Sequence, residues 1–281
     1  TISMWIKNNN TKINTSAFSS NGQEKLGTSP KYYFLLNPSN PDGYYKAVMT
    51  DPAAGSTANP WTTEVGVNNS LNNSVVTSDR MNQWMYYTIT INENTITGYL
   101  NGKLVGSDEI NNQTISDFGE NLTGYIGASD YPDDTFAGSF RDVRIYGKCM
   151  DEAQAGQLYR KALEIQNVKE TKSGITLQDG KTVYSDLELI QGTDECKVVW
   201  TSSNENAIRT DGTVLFGDKK QTVTLTAVIT CGSYSEECSY DIIVPSEDEA
   251  QAGVYRTQLV IPRYVSQDLQ TEVDGQTITW S

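Results

Sequence analysis

The fold of this chain is decided by the sequence QWMYYTITI at residues 83–91 and the sequence GYLNGKLV at residues 98–105. Both read as β-strands, and a turn signal lies inside the second stretch. Asn101 and Gly102 form the residue pair that most readily takes positive φ at both central positions of a hairpin turn. The sequence therefore predicts two antiparallel strands joined by Asn101 and Gly102.

The strand pattern continues towards the C-terminus with GYIG at residues 124–127 and FAGSFRDVRIY at residues 136–146. Alternate side chains of a strand point to opposite faces. In the last stretch we therefore expect Phe140 and Asp142 on one face, with Val143 and Ile145 on the other. No long helical period occurs before about residue 148, so this half of the chain is predicted to be an all-β, layered sandwich.

Taken in order, these stretches resemble the laminin G-like, concanavalin A-like jelly-roll family. The resemblance rests on YLNGK at residues 99–103, YIG at residues 125–127 and the pattern G-x-x-x-D-V-R-I-Y at residues 138–146. It implies a concanavalin A-like jelly-roll sandwich, which bacteria commonly use as a carbohydrate-binding or adhesive module on secreted proteins. The usual first strands of the family, which would precede Ile2, are expected to be missing from this chain.

A short helix and a polar linker are predicted after the sandwich. Asp151 has a typical N-cap side chain, and apolar residues such as Leu158 and Leu163 suit an amphipathic helix that ends at about Gln166. The family resemblance also implies a helix at this place. The polar sequence KETKSG at residues 169–174 is interpreted as the linker, and the first domain is predicted to span residues 1–166.

Residues 167–246 carry the signals of a second, immunoglobulin-like β-sandwich. Short strands are predicted at residues 186–189, 223–229 and 240–244 and within residues 198–204, and residues 208–214 are predicted to form a turn and a strand. The sequence WTSSN at residues 200–204, followed by DGTV at residues 211–214, resembles the mark of bacterial Ig-like modules. In such a module we expect Trp200 to lie in the core.

The end of the chain repeats part of this pattern. The sequence VYSDL at residues 183–187 precedes Trp200, and VSQDL at residues 265–269 precedes Trp280. Residues 247–281 are therefore interpreted as a connector and the start of a second Ig-like repeat, which begins near Leu259. We expect the chain to be an excised piece of a larger protein.

The composition restricts the partners and the chemistry. The chain has 21 Lys and Arg against 35 Asp and Glu, a net charge of −14, which would repel nucleic acid and anionic membranes. It contains no histidine, which excludes the Ser-His triad and most zinc or copper sites. No apolar run approaches the roughly 20 residues of a membrane span, and no signal peptide is evident. Neutral glycans and divalent cations are compatible with this charge.

Four cysteines leave two alternatives open. Cys231 and Cys238 flank a predicted hairpin loop and fall on the apolar side of their strands, so they could form a disulfide in an oxidising compartment. They could equally be buried free thiols that pack as small apolar side chains. For Cys149 and Cys196 the sequence does not decide the connectivity.

Acidic residues are candidates for catalysis or calcium binding. The pattern Glu-x-Asp-x-x-Glu, which jelly-roll glucanases resembling this chain carry on one strand, does not occur here, so we predict no hydrolase activity for the chain itself. The family resemblance implies one structural Ca²⁺ near Asp142, although Arg141 replaces the first acid of the usual pair. The alternative is that Asp142 forms a salt bridge with Arg141 or Arg144.

Exposed aromatic rings are the expected platforms for a sugar, because the C–H faces of a sugar stack on them. Trp61 follows Pro60 in a loop where burial is not forced, and Tyr44 and Tyr131 also lie in turn-rich segments. We predict Trp61, Tyr44 and Tyr131 as ligand-binding residues. For each, the alternative is a ring that only covers the edge of a loop. Trp5 and Trp84 lie in strand patterns and are expected in the core.

Together, these observations favour a noncatalytic carbohydrate-binding module with Ig-like spacers, from an extracellular or cell-surface bacterial protein. Families that resemble this chain often accompany glycoside hydrolases, including arabinan-active enzymes, and the expected partners are a glycan and the neighbouring domains of the parent chain. The alternative is a cell-surface adhesin or a structural stalk. A groove lined by Trp61 and polar side chains would favour glycan binding, whereas a flat face without aromatic rings would favour the stalk.

Overall fold

The computed structural model describes residues 1–9, 14–50, 59–68, 75–110, 114–258, 269, 271–273 and 275–279. The chain divides into two compact units, Thr1–Arg160 and Lys161–Ser281. Both units are built mainly from antiparallel strands, which confirms the all-β prediction. In the part of the chain that the structure describes, no helix is long and apolar enough to cross a membrane.

The first unit is a sandwich of two five-stranded antiparallel sheets. Its strands are β1 (Ile2–Asn8), β2 (Phe18–Asn21), β3 (Lys25–Leu26), β4 (Ser29–Pro30), β5 (Tyr33–Asn37), β6 (Lys46–Thr50), β7 (Glu64–Val67), β8 (Trp84–Ile91), β9 (Thr95–Leu100), β10 (Lys103–Glu109), β11 (Thr123–Ile126) and β12 (Gly138–Ile145). The first sheet has the strand order β10-β9-β8-β1-β12, and the second sheet has the order β11-β2-β5-β6-β7. Strands β3 and β4 form a separate small hairpin.

The core of the first unit joins the inner faces of the two sheets. Met4 and Ile6 of β1 enter it from the first sheet, and Phe34, Leu36 and Met49 enter it from the second. All five side chains are fully buried. Because the strand period is two, the residues between them, Trp5 and Leu35, lie on the outer faces of the two sheets.

The predicted hairpin is present and joins β9 to β10. Asn101 and Gly102 have φ values of 50° and 72°, the positive values that this turn requires. The Asn101 side chain also accepts a hydrogen bond from the backbone N–H of Tyr86, at 2.8 Å. Asn101 therefore takes part in the turn and also links it to the neighbouring strand β8 by a hydrogen bond.

The simple alternation predicted for the last strand is wrong at Asp142. The pairing of β1 with β12 shifts in register between Ser3 and Trp5, and Asp142 has a φ of 51°, as expected of a β-bulge. The bulge resets the alternation, so Phe140 and Val143 both pack against the core. An extra residue in one strand of a ladder cannot be recognised from the period of that strand alone.

Trp5 and Trp84 lie on the outer face of the first sheet and not in the core between the sheets. Trp5 is buried there beneath helix α1 (Glu152–Ser173), with its ring centroid 6.0 Å from that of Tyr159. Trp84 is only half-buried, and the Arg141 guanidinium lies 3.8 Å from its ring centroid. Both rings thus stabilise the side of the sheet that faces away from the core.

Helix α1 begins as predicted but ends later. Asp151 caps it, because its carboxylate accepts a hydrogen bond from the backbone N–H of Gln154 at 2.8 Å while the Gln154 side chain accepts one from the Asp151 N–H. The helix continues past Gln166 to Ser173, so most of the stretch 169–174 that was interpreted as a linker is helical. Val168 explains the extension, because it is fully buried in the core of the second unit.

The second unit contains a three-stranded antiparallel sheet of order β13-β14-β15. These strands are β13 (Lys197–Ser202), β14 (Gln221–Cys231) and β15 (Tyr234–Val244). Trp200 is buried in the core as predicted, and its indole N–H donates a hydrogen bond to the Ile190 carbonyl at 2.9 Å. Residues 186–189 do not form a strand here, and residues 208–214 form the predicted turn with only an isolated bridge between Ile208 and Val214.

The cysteine pairing differs from the predicted alternatives. Cys231 is bonded to Cys196, with the two Cα atoms 4.4 Å apart, and Cys149 and Cys238 are free thiols. The ladder between β13 and β14 explains this pairing, because Lys197 lies opposite Thr230 and thus places Cys196 next to Cys231. Cys238 instead lies opposite Ala227, so a disulfide across the hairpin between Cys231 and Cys238 does not form.

The stretch 247–281, which was interpreted as a connector and the start of a repeat, contains a helix, α2 (Glu247–Gln258), that we did not predict. Ser246 and Glu249 form its capping box, in which each backbone N–H donates to the side chain of the other residue. The predicted start of a second Ig-like repeat near Leu259 and the residue Trp280 lie outside the described residues. Of the predicted repeat, the structure describes the small hairpin β16 (Glu272–Val273) and β17 (Gln276–Thr277).

Candidate functional site

A groove of about 270 Å³ lies on the outer face of the second sheet, and we call it the Trp61 groove. Its floor contains Tyr33, Leu35 and Asn37, which alternate along β5 with the core residues Phe34 and Leu36. The lining consists of Asn14, Thr15, Ser16, Tyr33, Leu35, Asn37, Lys46, Trp61, Glu64, Tyr131 and Asp133. Strands β5, β6 and β7, with three loop segments, thus form one polar groove with aromatic rings.

Trp61 stands at the rim of this groove on a short 3₁₀ turn, Pro60–Thr63. Pro60 is buried and fixes the start of the turn, while the Thr62 and Thr63 hydroxyls donate hydrogen bonds to the carbonyls of Asn59 and Pro60. The turn is therefore well held, yet the Trp61 side chain is 52% exposed. A large ring kept in solvent by a fixed turn is available to a ligand.

Tyr131 is brought next to Trp61 by a different loop. The two ring centroids are 6.5 Å apart with an interplanar angle of 74°, and Tyr131 also contacts Tyr33, at 5.2 Å and 83°. Asp130 anchors this loop, because it accepts a hydrogen bond from the Tyr125 hydroxyl and forms an ion pair with Lys25. Three rings thus form a continuous edge-to-face series from the rim to the floor.

An ion pair with a tyrosine partner occupies the floor of the groove. Lys46 Nζ lies 2.7 Å from Glu64 Oε2, and the Tyr33 hydroxyl donates to Glu64 Oε1 at 2.7 Å. Burial raises the pKa of Tyr33, and the nearby Glu64 carboxylate raises it further. Tyr33 is therefore a neutral hydrogen-bond donor, and both oxygens of Glu64 have partners.

Tyr131 and Asp133 contribute two further polar groups. Burial raises the pKa of Tyr131 to about 12, so its hydroxyl stays protonated at neutral pH. That hydroxyl is enclosed and has no hydrogen-bond partner among the described residues. Partial burial also raises the pKa of Asp133 above its usual value. Of the described residues that line the groove, Lys46, Glu64 and Asp133 have charged side chains.

Of the three predicted binding residues, the structure brings Trp61 and Tyr131 together and leaves Tyr44 apart. Tyr44 does not line the groove. It is half-buried, forms an isolated bridge with Val76, and donates its backbone N–H to the Asn40 side chain at 2.9 Å. Tyr44 therefore fits the alternative considered from the sequence, a ring that only covers the edge of a loop.

Asp142, the predicted calcium ligand, lies in β12 at the bulge. Its carboxylate accepts a hydrogen bond from Arg144 Nε at 2.7 Å, which is one of the two salt bridges considered as the alternative. In the ranges that the structure describes, no three His, Cys, Asp or Glu side chains are grouped so that they could hold a metal ion. A calcium ion at Asp142 stays a prediction.

Sequence reasoning missed several residues that line the groove, above all Tyr33, Lys46 and Glu64. The one usable signal was the alternation in YFLLN at residues 33–37, where Tyr33 and Asn37 share the face opposite to Phe34 and Leu36. Nothing local marks Lys46 or Glu64, because they meet only through the pairing of neighbouring strands.

The arrangement can bind a small polar ligand with an apolar face. An exposed indole can stack on such a face, and the hydroxyls, amides, carboxylates and ammonium group can exchange hydrogen bonds with the edges of the ligand. A pyranose or furanose ring has both properties, because its C–H groups form apolar patches and its hydroxyls both donate and accept.

Comparison with known proteins identifies two families. The model of the concanavalin A-like lectin/glucanases superfamily matches residues 1–155, and the model of the atrophied bacterial Ig domain matches residues 166–247. Both matches confirm the resemblances found in the sequence motifs. The lack of strands at 186–189 and 208–214 agrees with an Ig domain of reduced size. No curated protein matches the chain.

Two solved structures illustrate the similarity. Domain 4 of AbnA, a GH43 extracellular arabinanase from Geobacillus stearothermophilus, in complex with arabinotriose, is 19% identical over 56% of this chain, with a TM-score of 0.40. The alignment covers 65% of that structure, so this chain spans less than two thirds of its length. The binding domain of Paraclostridial Mosquitocidal Protein 1 is 14% identical over 91% of this chain and 78% of its own, with a TM-score of 0.32.

Proposed function

The chain belongs to the concanavalin A-like lectin/glucanases superfamily through residues 1–155, and we propose that this domain binds a carbohydrate in the Trp61 groove. The single observation that supports this best is the position of Trp61. Its ring is 52% exposed at the rim of a groove with a polar floor, next to Tyr131. A groove of this kind favours a glycan-binding module over a flat stalk.

The polar groups around the groove support the same proposal. The Lys46 ammonium can donate hydrogen bonds, while the Glu64 and Asp133 carboxylates can accept them. Sugar hydroxyls exchange these bonds for bonds to water with little net gain, so most of the affinity comes from stacking on the ring. The polar groups then select which sugar is bound.

We further propose that the domain binds without cleaving its ligand. Hydrolysis of a glycosidic bond needs one free carboxylate and one protonated carboxyl across the scissile bond. In the groove, both oxygens of Glu64 are already engaged by Lys46 and Tyr33, which suits a structural role for this carboxylate.

The motif resemblance further suggests an extracellular bacterial parent protein, such as a glycoside hydrolase active on arabinan or another polysaccharide, with the Ig-like unit as a spacer.

A glycan array probed with the full chain, followed by calorimetry on the glycans retained, tests this function. Trp61→Ala should lose most of the affinity, whereas Tyr184→Ala should keep it, because Tyr184 is a similarly exposed ring of the second unit, 50% exposed. Affinity that survives Trp61→Ala would remove the groove as the site. Retention of no glycan would favour the adhesin or stalk. Turnover of a retained glycan would contradict binding without cleavage.

A further inference from the structure

We propose that the ligand of the Trp61 groove is an uncharged saccharide, and that Glu64 and Asp133 exclude sugars that carry a carboxylate. This inference rests on the proposed carbohydrate function and adds the charge class of the ligand. Acidic sugars, the uronates, are the obvious competitors, since they share ring shape and hydroxyl pattern with neutral sugars and differ only in the charged group.

Among the described residues that line the groove, Lys46 is the one cation, and its charge is already balanced by Glu64. Its ammonium lies 2.7 Å from the Glu64 carboxylate, and the two side chains are only 16% and 11% exposed. A pair this shielded from solvent is screened weakly by salt. An incoming carboxylate would therefore meet the field of an ion pair and not that of a free cation.

Glu64 is also prevented from turning away to release Lys46. Its second oxygen accepts the hydrogen bond from the Tyr33 hydroxyl, and Tyr33 is itself buried in the floor beneath Tyr131. A rearrangement that freed Lys46 for a sugar carboxylate would leave the Glu64 charge half-buried with one partner fewer, which is costly.

Asp133 then decides the sign of the net charge that the groove presents to a ligand. It forms no ion pair among the described residues, and Asp134 follows it in the same loop. Because Glu64 balances the charge of Lys46, the described lining residues carry one net negative charge. A carboxylate on the ligand would come within a few ångströms of this negative charge in a partly desolvated groove. The repulsion should lower the affinity of such a ligand about tenfold or more.

A neutral sugar avoids this penalty and can use the same groups. Each sugar hydroxyl can donate to a carboxylate oxygen and accept from the Lys46 ammonium. The mixed set of donors and acceptors is therefore satisfied without bringing a second charge into the groove.

The test uses an array of trisaccharide pairs that differ only at C6, a hydroxymethyl group in one member and a carboxylate in the other, such as α-1,4-galactotriose and α-1,4-trigalacturonate. The full chain, Asp133→Asn and the double variant Glu64→Gln/Asp133→Asn are compared at low salt. Asp42→Asn is the control, because it removes one negative charge from an exposed residue outside the groove.

The wild-type chain should retain only neutral members, with retention lost in Trp61→Ala. Asp133→Asn and the double variant should gain roughly tenfold or more in affinity for uronates, and Asp42→Asn should gain nothing. If the double variant does not fold, the single variant Asp133→Asn tests the proposal by itself. It should fold, because Asp133 is an exposed loop residue.

Equal or tighter retention of a uronate by the wild-type chain, lost in Trp61→Ala, would overturn this inference and leave the carbohydrate function standing. If the wild-type chain retains only neutral sugars and neither variant gains affinity for uronates, the role assigned to the Glu64 and Asp133 carboxylates is overturned. Retention of neither class would overturn the proposed function, and this inference with it.

Discussion

Trp61 and Tyr131 lie with their ring centroids 6.5 Å apart and their planes at 74°, although they come from two unrelated loops. One loop is held by the buried Pro60 and the other by Asp130, so neither ring needs a ligand to be positioned. Their meeting creates an aromatic corner above the Tyr33–Glu64–Lys46 network. Binding to a site built in advance requires little ordering of side chains, which favours affinity.

Trp61→Ala should weaken glycan binding strongly and stability hardly at all. Loss of the stacking platform should cost about 1–3 kcal/mol, the scale of burying a large apolar side chain, which is roughly a 5- to 150-fold loss in affinity. Because the ring is 52% exposed, its removal should leave the urea midpoint almost unchanged. Calorimetry and urea unfolding measure the two effects. A large drop in the urea midpoint would show that the ring supports the fold instead.

Tyr33→Phe and Tyr131→Phe should differ in their effects on stability, although each removes one hydroxyl. The Tyr33 hydroxyl donates to the Glu64 carboxylate, so its loss should cost about 1.5–3 kcal/mol, the range for a hydrogen bond to a charged group. The Tyr131 hydroxyl has no partner among the described residues, so its loss should be neutral or slightly stabilising.

Urea unfolding of the full chain, followed by tryptophan fluorescence, compares these two variants. Each serves as the control for the other because both changes are Tyr to Phe in neighbouring rings. Equal destabilisation by the two substitutions would contradict the assigned hydrogen bonds.

The disulfide between Cys196 and Cys231 should stabilise the second unit. The two cysteines are separated by 35 residues, and closing a loop of that length is worth about 4 kcal/mol in the chain-entropy model. Cys196→Ser should therefore lower the unfolding temperature of the oxidised chain, whereas Cys149→Ser, at an exposed free thiol, should not.

Peptide mapping without reduction checks the same pairing directly. The oxidised chain should show a Cys196–Cys231 peptide and free thiols at Cys149 and Cys238. A crosslinked peptide containing Cys231 and Cys238 would instead support the hairpin disulfide considered from the sequence.

Limited trypsin digestion should spare the segment that was interpreted as a linker. Lys169 and Lys172 lie in the last turns of α1, where Thr171 is buried and Lys172 forms an ion pair with Glu236. Proteases need locally unfolded chain, so the exposed turn at Lys219 should be cut before Lys169 and Lys172. Mass spectrometry of the early fragments identifies the cut. Early cleavage after Lys169 or Lys172 would restore the linker interpretation.

Much of the fold could be predicted because its signals are local. The alternation of Val223, Leu225, Ala227 and Ile229 identified β14, and the pair Asn101 and Gly102 identified the hairpin between β9 and β10. Asp151 likewise identified the start of α1. In each case the residues that form the element are neighbours in the chain, so their backbone preferences and periodicity are sufficient.

The bulge at Asp142 and the end of α1 required partners that lie far away in the sequence. The shift of β12 against β1 is visible only in the pairing of the two strands. The extension of α1 depends on a core for Val168, which the strands of the second unit supply. Helix and strand preferences of the local residues contain neither piece of information.

The sequence by itself determined the two families and the strand-rich architecture, and it singled out Trp61, Tyr44 and Tyr131 as candidate ligand-binding rings. Only the tertiary structure decided that Trp61 and Tyr131 meet while Tyr44 does not join them, and that Lys46 and Glu64 pair in the floor beneath. The physical reason is that the groove takes side chains from separate strands and loops. Their distances are set by strand pairing and loop packing, which no local pattern of residues encodes.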